Sequence, residues 1–193
     1  AEDTVLTAVE LVEVLAHCRA VTASADYRML QAASLIHDER EEDFLVEVAE
    51  HHSGEATSSE QFAEMNAASR AKQDPRSEFG PDGLERATAE VGAVLNVTPD
   101  RARELIVAGS ALRHRLPFTG HALATGRLEL SHFLIAVSRT ALCGPDTIAD
   151  VDAHLAQAIF ARPPMARARF TVMVDAVVAE FDPDACLLYT SDA

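Results

Sequence analysis

Between residues 95 and 100 the chain reads Leu-Asn-Val-Thr-Pro-Asp, and no other stretch limits the fold as sharply. Asn tolerates the left-handed backbone that ends a helix, so Asn96 marks a stop. Thr98 is a good N-cap, Pro99 suits the first helical position, and Asp100 suits the positive end of a helix dipole. One helix must end and another begin within a few residues. Before the turn, Ala87, Val91, Val94 and Leu95 share a helical face. After it, Ala102, Leu105, Ile106, Gly109, Leu112 and Leu116 share another. Val97 lies between them, placed to staple onto Ala102 across the cap. Residues 86–109 are therefore predicted as helix, tight turn and helix, with the spacing of a helix-turn-helix.

The same periodicity extends in both directions. Val5, Val9, Val12 and Ala16 predict a helix over 4–22, its stripe widened by Leu11 and Leu15. Ala23 to Asp26 reads as the cap of a second helix, roughly 26–51, with Leu30, Ala33, Ile36 or His37, Phe44, Leu45 and Val48 inward. The run His37 to Asp43 reads as a solvated face. His51, His52, Ser53 and Gly54 read as its stop. Ser58 with Gln61 reads as a capping box on a short helix. The stretch Gln73 to Gly83, with two Pro and two Gly, reads as a linker, and a domain boundary is expected near residue 80. Beyond Pro117, a short helix stops at Gly126. The next is capped by Ser131, with Leu134, Ile135 and Ser138 inward. Cys143 to Asp146 forms a turn. Residues 146–160 form a helix through Ile148, Val151, Leu155 and Ile159. Pro163-Pro164 opens the last, with Phe170, Met173, Val174 and Val177 inside and Asp182-Pro183 as its end. No alternating strand pattern of any length appears.

The fold class expected is all-α: a multi-helix bundle containing a helix-turn-helix-like hairpin, with a long N-terminal helical arm. Its core must come from small and aliphatic residues, because the chain is 48% hydrophobic but only 5% aromatic, with no Trp. The domains expected are an arm over 1–52, a linker with a short helix over 53–83, a helical domain over 84–185, and a tail over 186–193.

The net charge of −15 argues against a general polyanion binder. The distribution says more than the sum. Residues 1–60 hold 14 acids against 3 Arg, a net −11. Residues 98–139 hold 6 Arg against 3 acids, a net +3, with His114, His121 and His132 among them. Lys72 is the single Lys beside 15 Arg, as in the coding bias of a GC-rich genome. An acidic arm joined to a mildly basic middle leaves two partner classes open: DNA at the middle, or a second copy paired through the arm. Thr98, Arg101, Arg103, Arg113 and Arg115 are the candidate DNA contacts. Arg at the start of such a helix can meet phosphates or guanine edges in a major groove. Against this stand Asp100 and Glu104 on the same helix, and the fact that any helical hairpin needs such caps.

No catalytic residue is expected. The eight His are scattered, the three Cys form no CxxC, and no phosphate loop, GxSxG or HExxH occurs. Neither a cofactor, a metal nor a small-molecule ligand is expected. There is no signal peptide and no apolar run approaching 18 residues, so the expected location is cytoplasmic, with reduced thiols and no membrane contact.

Three segments resemble a known family. They are AEVGAVLNVTPDRARELIVAGSAL, LPFTGHALATGRLELSHFLIAVS and RFTVMVDAVVAEFDPDA. They are similar to the actinobacterial domain of unknown function 222, the amino-terminal domain of the thirteen-E-twelve repeat family, over about 84–185 and more loosely over 1–60. The most specific parts are Leu95 to Pro99, the Ala122 to Leu128 element, and Asp182 to Asp184. In that family the domain usually stands before a carboxy-terminal HNH endonuclease domain, whose His residues bind a metal that activates water. The resemblance implies that this chain is a truncated accessory part of such a protein, DNA-binding or nuclease-positioning and not itself catalytic. The Ala-Leu-x-x-Gly element after a helix-turn-helix also resembles the central DNA-binding part of ParB-like partition proteins. The alternative is an acidic helical interaction module without nucleic-acid contact. Finally, CLLYTSDA at 186–193 looks like translated sequencing adapter, so the natural sequence is expected to stop near Ala185. With no initiator Met, its start is expected to be cut as well.

Overall fold

A computed structural model describes residues 6–55 and 80–183. Among them are seven α-helices and one π-helical turn, and no strand. They are α1 (Ala8–Glu55), α2 (Gly83–Leu95), α3 (Pro99–Ser110), the π-helical turn Ala111–Arg115, α4 (Pro117–Ala124), α5 (Leu130–Arg139), α6 (Ile148–Phe160) and α7 (Arg167–Phe181). The protein is all-α with a long N-terminal helix. The chain divides into two compact units. The continuous unit is Ala33–Ile106. The composite unit joins Ala1–Ala32 to Val107–Ala193.

The arm differs from the two helices expected. α1 runs unbroken through Ala23 to Asp26 and past His51 to Gly54. Ser and Asp cap a helix only where the chain leaves helical angles, and no Gly or Pro between residues 8 and 53 makes it leave. Gly54 costs such a helix about 1 kcal/mol and does not stop it by itself. The predicted inner stripe of the first turns also faces out: Val9 is 70% exposed, Val12 64% and Leu15 70%. The capping box at Ser58 and the tail from residue 186 lie outside the described residues.

In the continuous unit, Ala33, Ala87, Val91, Ala102 and Ile106 form a core of small side chains. Ile36, Leu84, Leu95 and Val97 are half-buried against it. Small residues let backbones approach: a Cβ on Gly83 would lie 2.4 Å from Glu41 Cα. The run at 37–43 is thus not merely solvated. Arg40 forks onto Glu90 (Nε–Oε1 2.6 Å, Nη2–Oε2 3.2 Å) and reaches Asp43 at 2.9 Å. Arg86 forks onto Glu47 at 2.8 and 2.7 Å and stacks on the Phe44 ring at 5.6 Å. Leu45 and Val94, expected inside, are 57% and 83% exposed. α2 starts from a capping box that the linker composition hid. Asp82 Oδ1 accepts from Glu85 N–H at 2.8 Å, and Glu85 Oε2 accepts from Asp82 N–H at 3.2 Å.

In the composite unit α4 packs on α6, α5 on α7, and α6 on α7. Phe133, Leu155, Val151, Phe170 and Val174 are fully buried. The cap of α5 is Glu129, not Ser131, so Phe133, Ala136 and Val137 turn inward with Ile135, while Ser138 stays exposed. The last helix begins at Arg167, after Pro163-Pro164 rather than with them. Leu116 N–H reaches back five residues to Ala111 O at 2.7 Å, which makes the π turn and lets both Leu112 and Leu116 bury.

Candidate nucleic-acid interface

The hairpin α2–α3 forms as the six-residue turn requires. Asn96 adopts φ 52°, ψ 49°, and is the only non-Gly residue with positive φ among the described residues. Its N–H and that of Val97 (3.1 Å) both reach Gly92 O, closing the C-terminus of α2. Thr98 Oγ1 then accepts the N–H of Arg101 at 3.3 Å, and Thr98 O accepts that of Ala102 at 2.9 Å. Thr98 therefore works as a cap, with its hydroxyl directed to its own helix.

The four arginines have different surroundings. Arg101 pairs with Glu104 one turn along the same helix, with side chains 38% and 50% exposed. Such an exposed pair at i,i+3 is worth roughly 0.5 kcal/mol or less, so an incoming phosphate can displace it. Arg103 is exposed, and no hydrogen bond or ion pair to a described residue engages it. Arg113 and Arg115 lie in the π turn and belong to the composite unit, whereas Thr98, Arg101 and Arg103 belong to the continuous one. Arg115 is half-buried and donates to Thr140 O, and Arg113 is half-buried and engaged.

Among the described residues no three His, Cys, Asp or Glu side chains converge in a way that could hold a metal. His154 Nδ1 meets Asp150 O at 2.9 Å and its ring packs on Phe181. His132 Nε2 meets Met165 O at 3.1 Å and its ring stands edge-on to Phe170. Cys18 and Cys143 are free thiols, and burial, with Asp182 adding to it, pushes the Cys143 thiol up. No helix among the described residues is long and apolar enough to cross a membrane.

The family model described as Domain of unknown function (DUF222) matches residues 49–192. The chain belongs to that family. No curated protein and no solved structure gives a significant match. The DUF222 match takes in 53–83, read above as a linker, and reaches residue 192.

The structure gives each segment that carries the family resemblance a packing role. Leu95 to Pro99 is the turn just described. In Ala122 to Leu128, the amides of Arg127 (2.9 Å) and Leu128 (3.0 Å) both reach Ala122 O. Gly126 has φ 74°, and a Cβ on it would lie 2.6 Å from Ala20 Cα, so glycine is required twice over. Asp182 accepts from Gly144 N–H at 2.9 Å and Thr147 Oγ1–H at 2.6 Å, tying the end of α7 to the turn before α6. Asp152 is a structural carboxylate that is not among the candidates read in the sequence. It is fully buried and accepts the N–H groups of Phe118 (2.8 Å) and Thr119 (2.9 Å) at the start of α4. Burial raises its pKa against those bonds. Its position beside Val151 on a helix with Leu155 four residues on was the available signal.

Proposed function

We propose that this chain is a non-catalytic accessory domain of an HNH-endonuclease-type protein, and that it contacts DNA through the first turn of α3. The observation that carries the reading is Arg103: an exposed guanidinium with no described partner, one turn from a capped helix start whose direction Asn96 and Thr98 fix. Arg101 adds a second cation held only by a weak exposed pair. The first-turn N–H groups add the positive end of the helix dipole. The contact is to backbone phosphate first, since two guanidiniums beside Asp100 and Glu104 offer little for reading a base sequence. Arg113 and Arg115 have a smaller part, because both are already engaged. The domain's task is to hold a nuclease on DNA, and it acts in the cytoplasm.

Fluorescence anisotropy with a labelled duplex tests this. Binding should weaken steeply with salt, and Arg101→Ala with Arg103→Ala should remove most of it. Binding that ignores both changes would sink the proposal.

One observation favours a second reading, an interaction module that pairs with another copy. Val9, Leu11, Val12 and Leu15 are exposed on α1 beside Glu10 and Glu13, with Leu6 exposed just before it. Sedimentation equilibrium should then show mass rising with concentration, and Val12→Glu with Leu15→Glu should abolish the rise. A constant monomer mass would dismiss it.

A further inference from the structure

A cleft in the composite unit has a wall unlike the rest of this acidic chain. It is open to solvent, and Arg19, Arg127, Arg162 and His132 line it with Glu129 as the one carboxylate. Three guanidiniums less one carboxylate give +2 with His132 neutral, inside a chain of −15.

The hydrogen bonding of this wall is lopsided. Arg19 Nη2 donates to Gly126 O at 3.0 Å and Nη1 to Glu129 at 3.1 Å. Arg127 Nη2 serves both Phe160 O and Arg162 O at 3.2 Å. Arg162 Nη1 donates to Ala158 O at 3.2 Å, and His132 takes Met165 O. The carbonyls of Gly126, Ala158, Phe160, Arg162 and Met165 are therefore occupied. The guanidiniums are positioned by these bonds but not used up, since each carries five N–H donors and these contacts engage one or two nitrogens. Pro163 and Pro164 bring no N–H and no side-chain acceptor. α7 begins beside the cleft from Ala166, a cap without a side-chain acceptor. A wall with three guanidiniums against one carboxylate, and with these five carbonyls already bonded, suits a ligand that only accepts. Glu129 shows what a carboxylate does here: it reaches Arg19 and leaves Arg127 and Arg162 to spare. Phosphate, with more oxygens and up to two charges, matches three guanidiniums.

We propose that this cleft is a phosphate site, whose ligand is either free phosphate or the backbone phosphate of a nucleic acid. It goes beyond the contact assigned to α3 and does not depend on it.

Calorimetric titration of the whole chain with inorganic phosphate at low ionic strength should give one saturable site. Arg162→Gln should weaken it about tenfold or more, the loss of a charge-assisted hydrogen bond. Glu129→Gln removes the competing carboxylate and should tighten it several-fold, which a merely structural Glu129 would not do. Thermal melts by circular dichroism show that each variant is folded, and Glu129→Gln decides the matter if Arg162→Gln is not. Arg101→Ala with Arg103→Ala should leave the titration unchanged, which separates this site from the one on α3. Absence of saturation, or affinity indifferent to both Arg162→Gln and Glu129→Gln, overturns the proposal. A short duplex titrated in parallel identifies the source. Losses in step with phosphate mean nucleic-acid backbone; a response to inorganic phosphate alone means the free ion.

Discussion

The two units of this chain reach stability by different means. The continuous unit packs Ala, Val and Ile in its core and surrounds them with forked Arg–Glu pairs at the surface. The composite unit buries Phe133, Phe170 and Leu155 and ties its turns with carboxylates, Asp152 wholly inside and Asp182 half-buried. A small-residue core gains little apolar area per residue, at about 0.8 kcal/mol for each buried methylene, so surface pairing is what remains available to it. A core with room for rings can bury a carboxylate, provided that backbone N–H groups meet it. The basic candidates divide along the same line. Arg103 and the weakly paired Arg101 sit on the small-core unit, and Arg113 and Arg115, both engaged, on the other.

Substitutions that break this contrast rank by burial. Gly126→Ala should have the largest effect, about 3 kcal/mol or more by urea denaturation, because it combines positive φ with a Cβ driven onto Ala20. Gly83→Ala meets the same obstacle against Glu41 without the φ penalty and should cost somewhat less. Asp152→Ala leaves a buried N–H of Thr119 and a half-buried one of Phe118 unanswered and should cost about 2 kcal/mol, measurable as a shift of the urea midpoint. If it were neutral, the carboxylate contrast between the units would fail. Asn96→Ala should cost about 1 kcal/mol while Asn96→Gly is close to neutral, since only the left-handed angle is required. The exposed pairs come last. Arg86 holds the Glu47 carboxyl below its ordinary value of 4.5. A depressed carboxyl pKa contributes stability above the ordinary value and loses it as pH falls through the lowered one. Glu47→Gln should therefore lower stability slightly at neutral pH, where the exposed pair contributes in full, and flatten the acid side of the stability curve from pH 4.5 downward, where parent and variant converge. High salt should mask it.

The legible parts of the fold were those decided locally. Asn96, Thr98 and Pro99 carry their own geometry, so the hairpin could be read from six residues. Val151, Leu155, Ile159, Phe170 and Val174 follow from period alone. What could not be read depends on distant partners. Ser24 and Asp26 cap or ride in a helix according to what packs around them. Val9, Val12 and Leu15 make a helical stripe whatever it faces. The pairing of Arg40 with Glu90 and of Arg86 with Glu47 spans 50 and 39 residues, and no spacing rule reaches that far. The Arg-lined cleft draws on residues 19, 127 and 162, which nothing in the sequence associates. The candidate site was legible as a set of cations. It was not legible which of them the fold would employ elsewhere, as it does Arg115.

Amide chemical-shift mapping with a labelled duplex tests the role assigned to α3 most directly. Progressive, salt-sensitive shifts at the amides of Arg101 and Arg103 and their neighbours in the first turn are the expected result. Shifts that leave that turn untouched while the rest of the spectrum responds, or no shifts at low salt, would contradict it.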